Sequence, residues 1–168
     1  LSEHGGTALA FSAAMNPVVE VSEALIALGA NINNVDKRDN SVILGSISSN
    51  KNVAVVEAMI RAGANPNIMK KNLGITPLIA LIANGYPWQT VRMLLNAGAD
   101  PNLENNEGMS PLTLAIRLDS SPEVVDMLLD GGADPDRPDK DGVRPLVTAV
   151  LQNRNPKIIE LLVRKGAD

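Results

Sequence analysis

Apolar residues in this chain fall into short clusters at helical spacing, separated by polar stretches rich in Asn, Asp and Gly. Residues 110–131 show the pattern plainly. Leu112, Leu114, Ala115 and Ile116 form one stripe, Asp119-Ser120 interrupts it, and Val124, Val125, Leu128 and Leu129 form a second. Leu78, Ala80, Leu81 and Ile82 repeat the first stripe earlier in the chain; Ile158, Ile159, Leu162 and Val163 repeat the second later on. Recurrence at three- and four-residue intervals is the period of an amphipathic helix, not of a strand. Helices of about nine or ten residues are marginal alone in water, so each must pack on its partner and on the next pair.

Two markers recur in phase with these stripes. Gly-Ala-Asn/Asp begins at Gly29, Gly63, Gly98, Gly132 and Gly166, at steps of 34, 35, 34 and 34 residues. The second marker is Thr7-Ala8-Leu9, Ser41-Val42-Ile43, Thr76-Pro77-Leu78, Ser110-Pro111-Leu112 and Arg144-Pro145-Leu146. Thr76 and Ser110 are suited to accept backbone N–H bonds as N-caps, and Pro77 and Pro111 follow at N1, where a missing N–H costs nothing. Ser121 before Pro122 and Asn155 before Pro156 suggest the same start for the second helix of a unit. The marker glycines close that helix in the left-handed region. The predicted first helices are 7–15, 41–49, 76–84, 110–118 and 144–152, and the second helices 19–28, 53–62, 88–97, 122–131 and 156–165.

Together these markers resemble the ankyrin repeat, whose unit has a hairpin, a Thr-Pro-Leu-His helix start, a second helix with a Leu-Leu pair and a Gly-Ala-Asp terminus. The fullest match is Gly108-Met109-Ser110-Pro111-Leu112-Thr113-Leu114-Ala115, followed by Leu128-Leu129 and Gly132-Ala133-Asp134. The resemblance covers essentially all 168 residues. It implies an all-α, ankyrin-type solenoid of stacked helix-turn-helix units with short projecting hairpins. The expected organisation is a single repeat domain over 1–168, with units at about 1–33, 34–67, 68–102, 103–136 and 137–168. With Leu1 at its start and a repeat terminus at Asp168, the chain reads as a segment of a longer protein. Two departures stand out: the family's histidine is replaced by Ala10, Leu44, Ile79, Thr113 and Val147, and Arg144 takes the place of the capping hydroxyl in unit five.

Composition narrows the chemistry. A net charge of −4 argues against non-specific binding to phosphate backbones, so no nucleic acid partner is expected. No apolar run is long enough to span a bilayer, and no membrane association is expected. With no cysteine there are no disulfides, thiolate metal sites or cysteine nucleophiles, which is compatible with an intracellular, cytoplasmic protein. The one histidine, His4, reads as an ordinary exposed residue near an end rather than a catalytic base. The acidic run Asp134–Asp141 lacks the alternation and the distal Glu of a calcium loop, since Pro138 and Lys140 intervene, and reads as a solvated turn. The chain is therefore read as no enzyme, without cofactor, metal or catalytic residues.

The resemblance implies recognition of a protein partner on the concave face built from hairpins and first helices. Transferred onto this chain, that layout nominates Lys37, Arg38, Leu73 and Glu107 on hairpin tips, Ile75, Met109 and Val143 just before first helices, and Arg117 and Leu118 at the end of a first helix. Leu73, Ile75, Met109, Leu118 and Val143 form an expected apolar stripe with a charged border, the anatomy of an interface core and rim. Tyr86 and Trp88, flanking Pro87, are an alternative anchor, weighed against simple packing on a neighbouring link. A rival role is a structural spacer or an intramolecular, autoinhibitory cover. Unit five ends in Ile158, Ile159, Leu161, Leu162 and Val163, so exposure there and end-to-end self-association are also expected.

Overall fold

The computed structural model describes residues 7–37, 39–50, 52–152 and 155–168. Among them run ten helices in five pairs: α1 (Ala8–Met15) with α2 (Val19–Ala27), α3 (Val42–Ser49) with α4 (Val53–Arg61), α5 (Pro77–Ala83) with α6 (Trp88–Asn96), α7 (Pro111–Arg117) with α8 (Pro122–Asp130), and α9 (Pro145–Gln152) with α10 (Pro156–Arg164). The odd-numbered helices pack side by side as one layer and the even-numbered ones as a second. Extended pairing among the described residues is confined to two isolated bridges, Val35 with Ser41 and Lys70 with Ile75. The result is an all-α solenoid.

Local chemistry sets the helix ends. Thr7, Ser41, Thr76 and Ser110 each accept the N–H three residues on, satisfying one orphan donor of the first turn. In unit four Thr113, at the position of the family's histidine, also brings its hydroxyl to 3.2 Å from that of Ser110. Asn155 caps α10 as expected, whereas Ser121 makes no capping bond. Its hydroxyl hydrogen-bonds the Glu123 carboxylate instead, which holds that group below its ordinary range. Every second helix closes the same way: Ala30, Ala64, Ala99, Ala133 and Ala167 donate to the carbonyl five residues back at 2.9–3.1 Å, with a left-handed glycine between.

Leu78, Leu81, Leu94, Leu112, Leu128 and Leu162 are fully buried along the seam between the layers. Each contributes on the order of 1.5–3 kcal/mol of transfer free energy, which no single nine-residue helix could gain by itself. Exposure at the end of unit five differs from expectation. Ile158, Leu161 and Leu162 are buried, because α10 turns that face onto α8 and α9; Val163 is exposed, together with Val147, Val150 and Leu151 of α9.

A polar ladder tethers successive units beside the marker glycines. Asn33 Oδ1 accepts the Asn65 N–H at 2.7 Å while its Nδ2 donates to the Gly63 carbonyl at 3.4 Å. Asn67 repeats both bonds to Asp100 and Gly98, at 2.8 Å each, and Asn102 repeats them to Asp134 and Gly132, at 2.9 Å each. At the last rung Asp136 accepts from the Asp168 N–H at 2.8 Å, and a carboxylate has no donor to offer Gly166.

The hairpins place the one 35-residue step. Asp36, Lys70, Asn105 and Asp139 open the four turns by donating to the carbonyls of Asn40, Ile75, Met109 and Val143, at 2.9–3.0 Å. Hairpin three therefore has a turn, residues 71–74, one residue longer than the others. Gly74 lies at φ 65°, and a Cβ there would come within 2.5 Å of the Asn106 nitrogen on the next hairpin.

Candidate functional site

First helices and hairpins meet in a groove along units one to three, with a volume of about 850 Å³. Its apolar lining comes from Phe11 and Met15 of α1, Leu44 of α3, and Leu73 and Ile75 of hairpin three. Phe11, Met15 and Leu73 are 53%, 76% and 48% exposed, high for such large apolar side chains converging on one opening. Between them the lining of α1 and α3 is built from small residues: Ala10, Ala14, Gly45, Ser48 and Ser49. At the position of Gly45, later units carry Ala80, Leu114 and Thr148, so the missing side chain in unit two widens the groove.

Polar groups line the hairpin side. Both Asp36 oxygens accept from Asn40, from its backbone N–H and from its Nδ2, at 2.9 Å each. Asn40 Oδ1 in turn accepts from the Lys70 ammonium at 2.8 Å. Asn50 is buried at the floor and donates from Nδ2 to the carbonyls of Ala13 and Asn16, at 3.1 and 2.8 Å, tying α1 to α3.

The structure brings two of the sequence-nominated residues, Leu73 and Ile75, into this groove and leaves the others outside its lining. Lys37 and Glu107 are exposed on hairpins two and four, and Arg38 lies outside the described residues. Met109, expected on an exposed stripe, is buried at 8% exposure, its sulfur 3.4 Å from Arg117 Nη1. Its backbone N–H is tied to Asn105 Oδ1 at 3.0 Å, and Arg117 lies against the side chain. Leu118 is exposed and Val143 half-buried farther along the same face. His4 lies outside the described residues.

Tyr86 and Trp88 take separate environments. The Tyr86 hydroxyl donates to the Asn50 carbonyl at 2.9 Å, with the Ile47 carbonyl at 3.2 Å also in reach, so it serves the open end of α3. Burial raises its pKa above the ordinary value of 10.0. Trp88 is half-buried, with the Arg92 guanidinium 4.8 Å from the ring centre.

The acidic run of unit five is occupied with its own backbone. Asp134 accepts from the Asp136 N–H at 2.9 Å, and Asp139 from the N–H groups of Asp141 and Val143 at 3.0 and 2.9 Å. Among the described residues no group of three or more His, Cys, Asp or Glu side chains is placed to hold a metal, and no helix is long and apolar enough to cross a membrane.

Sequence reasoning missed Phe11 and Leu44; it placed Met15 at the end of a first helix and Lys70 on a hairpin tip but chose neither as a binding residue. For Lys70 a signal existed: Asp36, Asn105 and Asp139 occupy the same place in the other hairpins, all side chains with an acceptor oxygen. The ankyrin repeats family model, in its three-copy form, matches residues 44–139 and 78–168. No curated protein matches the chain. The matched span begins within α3, so α1, α2 and hairpin two carry the same architecture beyond it.

Proposed function

The chain belongs to the ankyrin-repeat family, a family of protein–protein interaction modules, and from that premise we propose that it binds a protein partner on its concave face. One observation carries this reading: Phe11 and Met15 of α1 and Leu73 of hairpin three stand in solvent around a common groove, while Leu9, Ser12 and Ala13 of α1 are buried. A spacer has no need of such a surface. Farther along the face, Glu107, Arg117, Leu118 and Val143 continue the contact as a rim, with the exposed Lys37 of hairpin two at the other end; Tyr86 and Trp88 serve the fold. No reaction is proposed.

Leu73→Asp and, separately, Leu118→Asp test the reading. Loss of partner binding by Leu73→Asp of about 2 kcal/mol, with a smaller loss for Leu118→Asp, is expected if the groove holds the interface core. Full binding by a folded Leu73→Asp protein would move the interface elsewhere, and the Trp88→Ala variant would then show whether the Tyr86–Trp88 edge is used.

A second contact is favoured by the end of unit five. Val147, Val150 and Val163 are exposed there, while Thr113, Ile116 and Leu129, their counterparts in unit four, are covered by the next unit. End-to-end association of two copies would cover them. Sedimentation of the chain and of Val150→Asp tests this: association lost on substitution supports it, and a monomer at every concentration removes it.

A further inference from the structure

We propose that the groove of units one to three takes an acidic, apolar peptide segment of the partner, with the Lys70 ammonium as the group that fixes its carboxylate. The proposal rests on the concave-face reading above and specifies the chemistry of what enters.

The argument begins with the turn. In hairpins two, four and five the residue that opens the turn has a side-chain oxygen that accepts backbone N–H groups: Asp36 from Asn40, Asn105 from Glu107 and Met109, Asp139 from Asp141 and Val143. A lysine has no acceptor. Hairpin three manages without one because its turn is a residue longer, and the Lys70 carbonyl accepts from both Leu73 and Gly74, at 3.1 and 2.9 Å. In hairpins four and five the same carbonyl accepts from one glycine, Gly108 or Gly142, at 2.9 Å. The extra residue thus releases side chain 70 from holding the turn, and it also projects Leu73 beside it.

The released ammonium sits at the groove with one bond, to Asn40 Oδ1. It carries three N–H donors, so two remain to be matched. Among the described residues no carboxylate lies within 4.0 Å of Lys70 or of its neighbour Lys71, whereas Arg61, Arg137, Arg144 and Lys165 all have such partners. Asp36, the one carboxylate of the lining, has both oxygens engaged with Asn40. The groove therefore offers ammonium donors beside apolar side chains, while its one carboxylate is turned to Asn40. A chain segment bringing Asp or Glu next to Leu, Ile or Phe supplies what is missing, and the groove, open to solvent and lined from units one to three, admits a peptide.

The test is selection of a displayed random peptide library on the full 168-residue chain, followed by binding of a synthetic selected peptide to the chain and two variants. Lys70→Asp reverses the charge and installs the residue type of hairpins two and five, so its melting midpoint stays near that of the parent. Lys157→Asp makes the same change of net charge on exposed α10. The proposal expects acidic residues beside apolar ones in the selected peptides, affinity about tenfold weaker for Lys70→Asp and unchanged for Lys157→Asp. It also expects weakening with salt, and amide shifts concentrated in residues 10–17, 44–50 and 70–75. Apolar peptides without acid, bound in the groove and indifferent to Lys70→Asp, would overturn the acidic class and leave the concave reading standing. Peptides whose shifts fall around Tyr86 and Trp88 or on the even-numbered helices would overturn both. Selection of nothing above background would overturn the peptide proposal alone, since a folded partner remains testable through Leu73→Asp.

Discussion

Substituting alanine at Gly74 and at Gly142 separates what a hairpin owes to its own turn from what it owes to its neighbour. Both residues lie at positive φ, 65° and 77°, so a Cβ costs each about 1 kcal/mol for the backbone conformation. At Gly142 that is the whole cost, because nothing lies within 4 Å of the added carbon. At Gly74 the carbon would stand 2.5 Å from Asn106 N, 2.6 Å from Asn106 Oδ1 and 2.8 Å from Asn105 C, and backbone cannot swing aside as a flexible side chain would. Hairpin four must retreat. Retreat breaks the bond from Asn106 Nδ2 to the Asn72 carbonyl at 3.0 Å and the longer one from Asn106 N to the Leu73 carbonyl at 3.4 Å. Losing these exposed bonds costs about 1 kcal/mol together, and the disturbed packing about another. Gly74→Ala is therefore expected to destabilise by about 2–4 kcal/mol and Gly142→Ala by about 1. Urea unfolding followed by far-ultraviolet circular dichroism measures both, and fluorescence of Trp88, the one tryptophan, reports on unit three. Equal losses at the two sites would show that hairpin contacts contribute nothing to stacking and would refute the reasoning.

Other consequences follow from the ladder, the phenol and the ion pairs. Asn67→Ala removes both its bonds to unit three and should cost about 1–2 kcal/mol by the same unfolding assay. Asp136→Asn should stabilise by about 0.5–1 kcal/mol, since the amide adds a donor toward Gly166 and removes a charge near Asp168; a loss of stability would mean that the last rung is not built like the others. The one tyrosine, Tyr86, has a folded pKa above its unfolded 10.0, so its contribution is complete below pH 10 and lost as pH rises through the folded value. Near-ultraviolet absorbance should show its titration midpoint above 10 in the folded chain and falling back on unfolding in urea. Lys165, raised from 10.5 chiefly by its hydrogen bond to Asp130, loses its contribution over the same alkaline range, and Lys165→Met should flatten that part of the pH profile.

The repeat and its helices were legible because the closing Gly-Ala-Asn/Asp marker recurs five times in phase and a capping hydroxyl opens four of the five units. Hydroxyl-Pro pairs mark Thr76 and Ser110, and the marker glycines end helices wherever the chain must turn left-handed. Ser121 misled because a hydroxyl before proline does not by itself fix the rotamer: its side chain acts on the Glu123 carboxyl and makes no bond to the first turn. Met109 misled because the layout gives its place on the face without the depth, which is set by Arg117 lying against it. The groove was illegible as a whole. It arises from coincidences across units: Gly45 lacks the side chain that later units carry, Phe11 and Met15 stand on an adjacent helix, and hairpin three is longer by one residue. The longer step was visible in the spacing of 35, but its location in the turn, and the consequent freedom of Lys70, required the hydrogen bonds.

Hydrogen exchange of the chain, alone and bound to its partner, tests the central claim most directly. The concave-face account predicts protection on binding in residues 10–17, 36–50 and 70–75, with the even-numbered helices α6, α8 and α10 unchanged apart from a small general stabilisation. Protection confined to the even-numbered helices, with residues 10–17 and 70–75 exchanging as in the free chain, would contradict it.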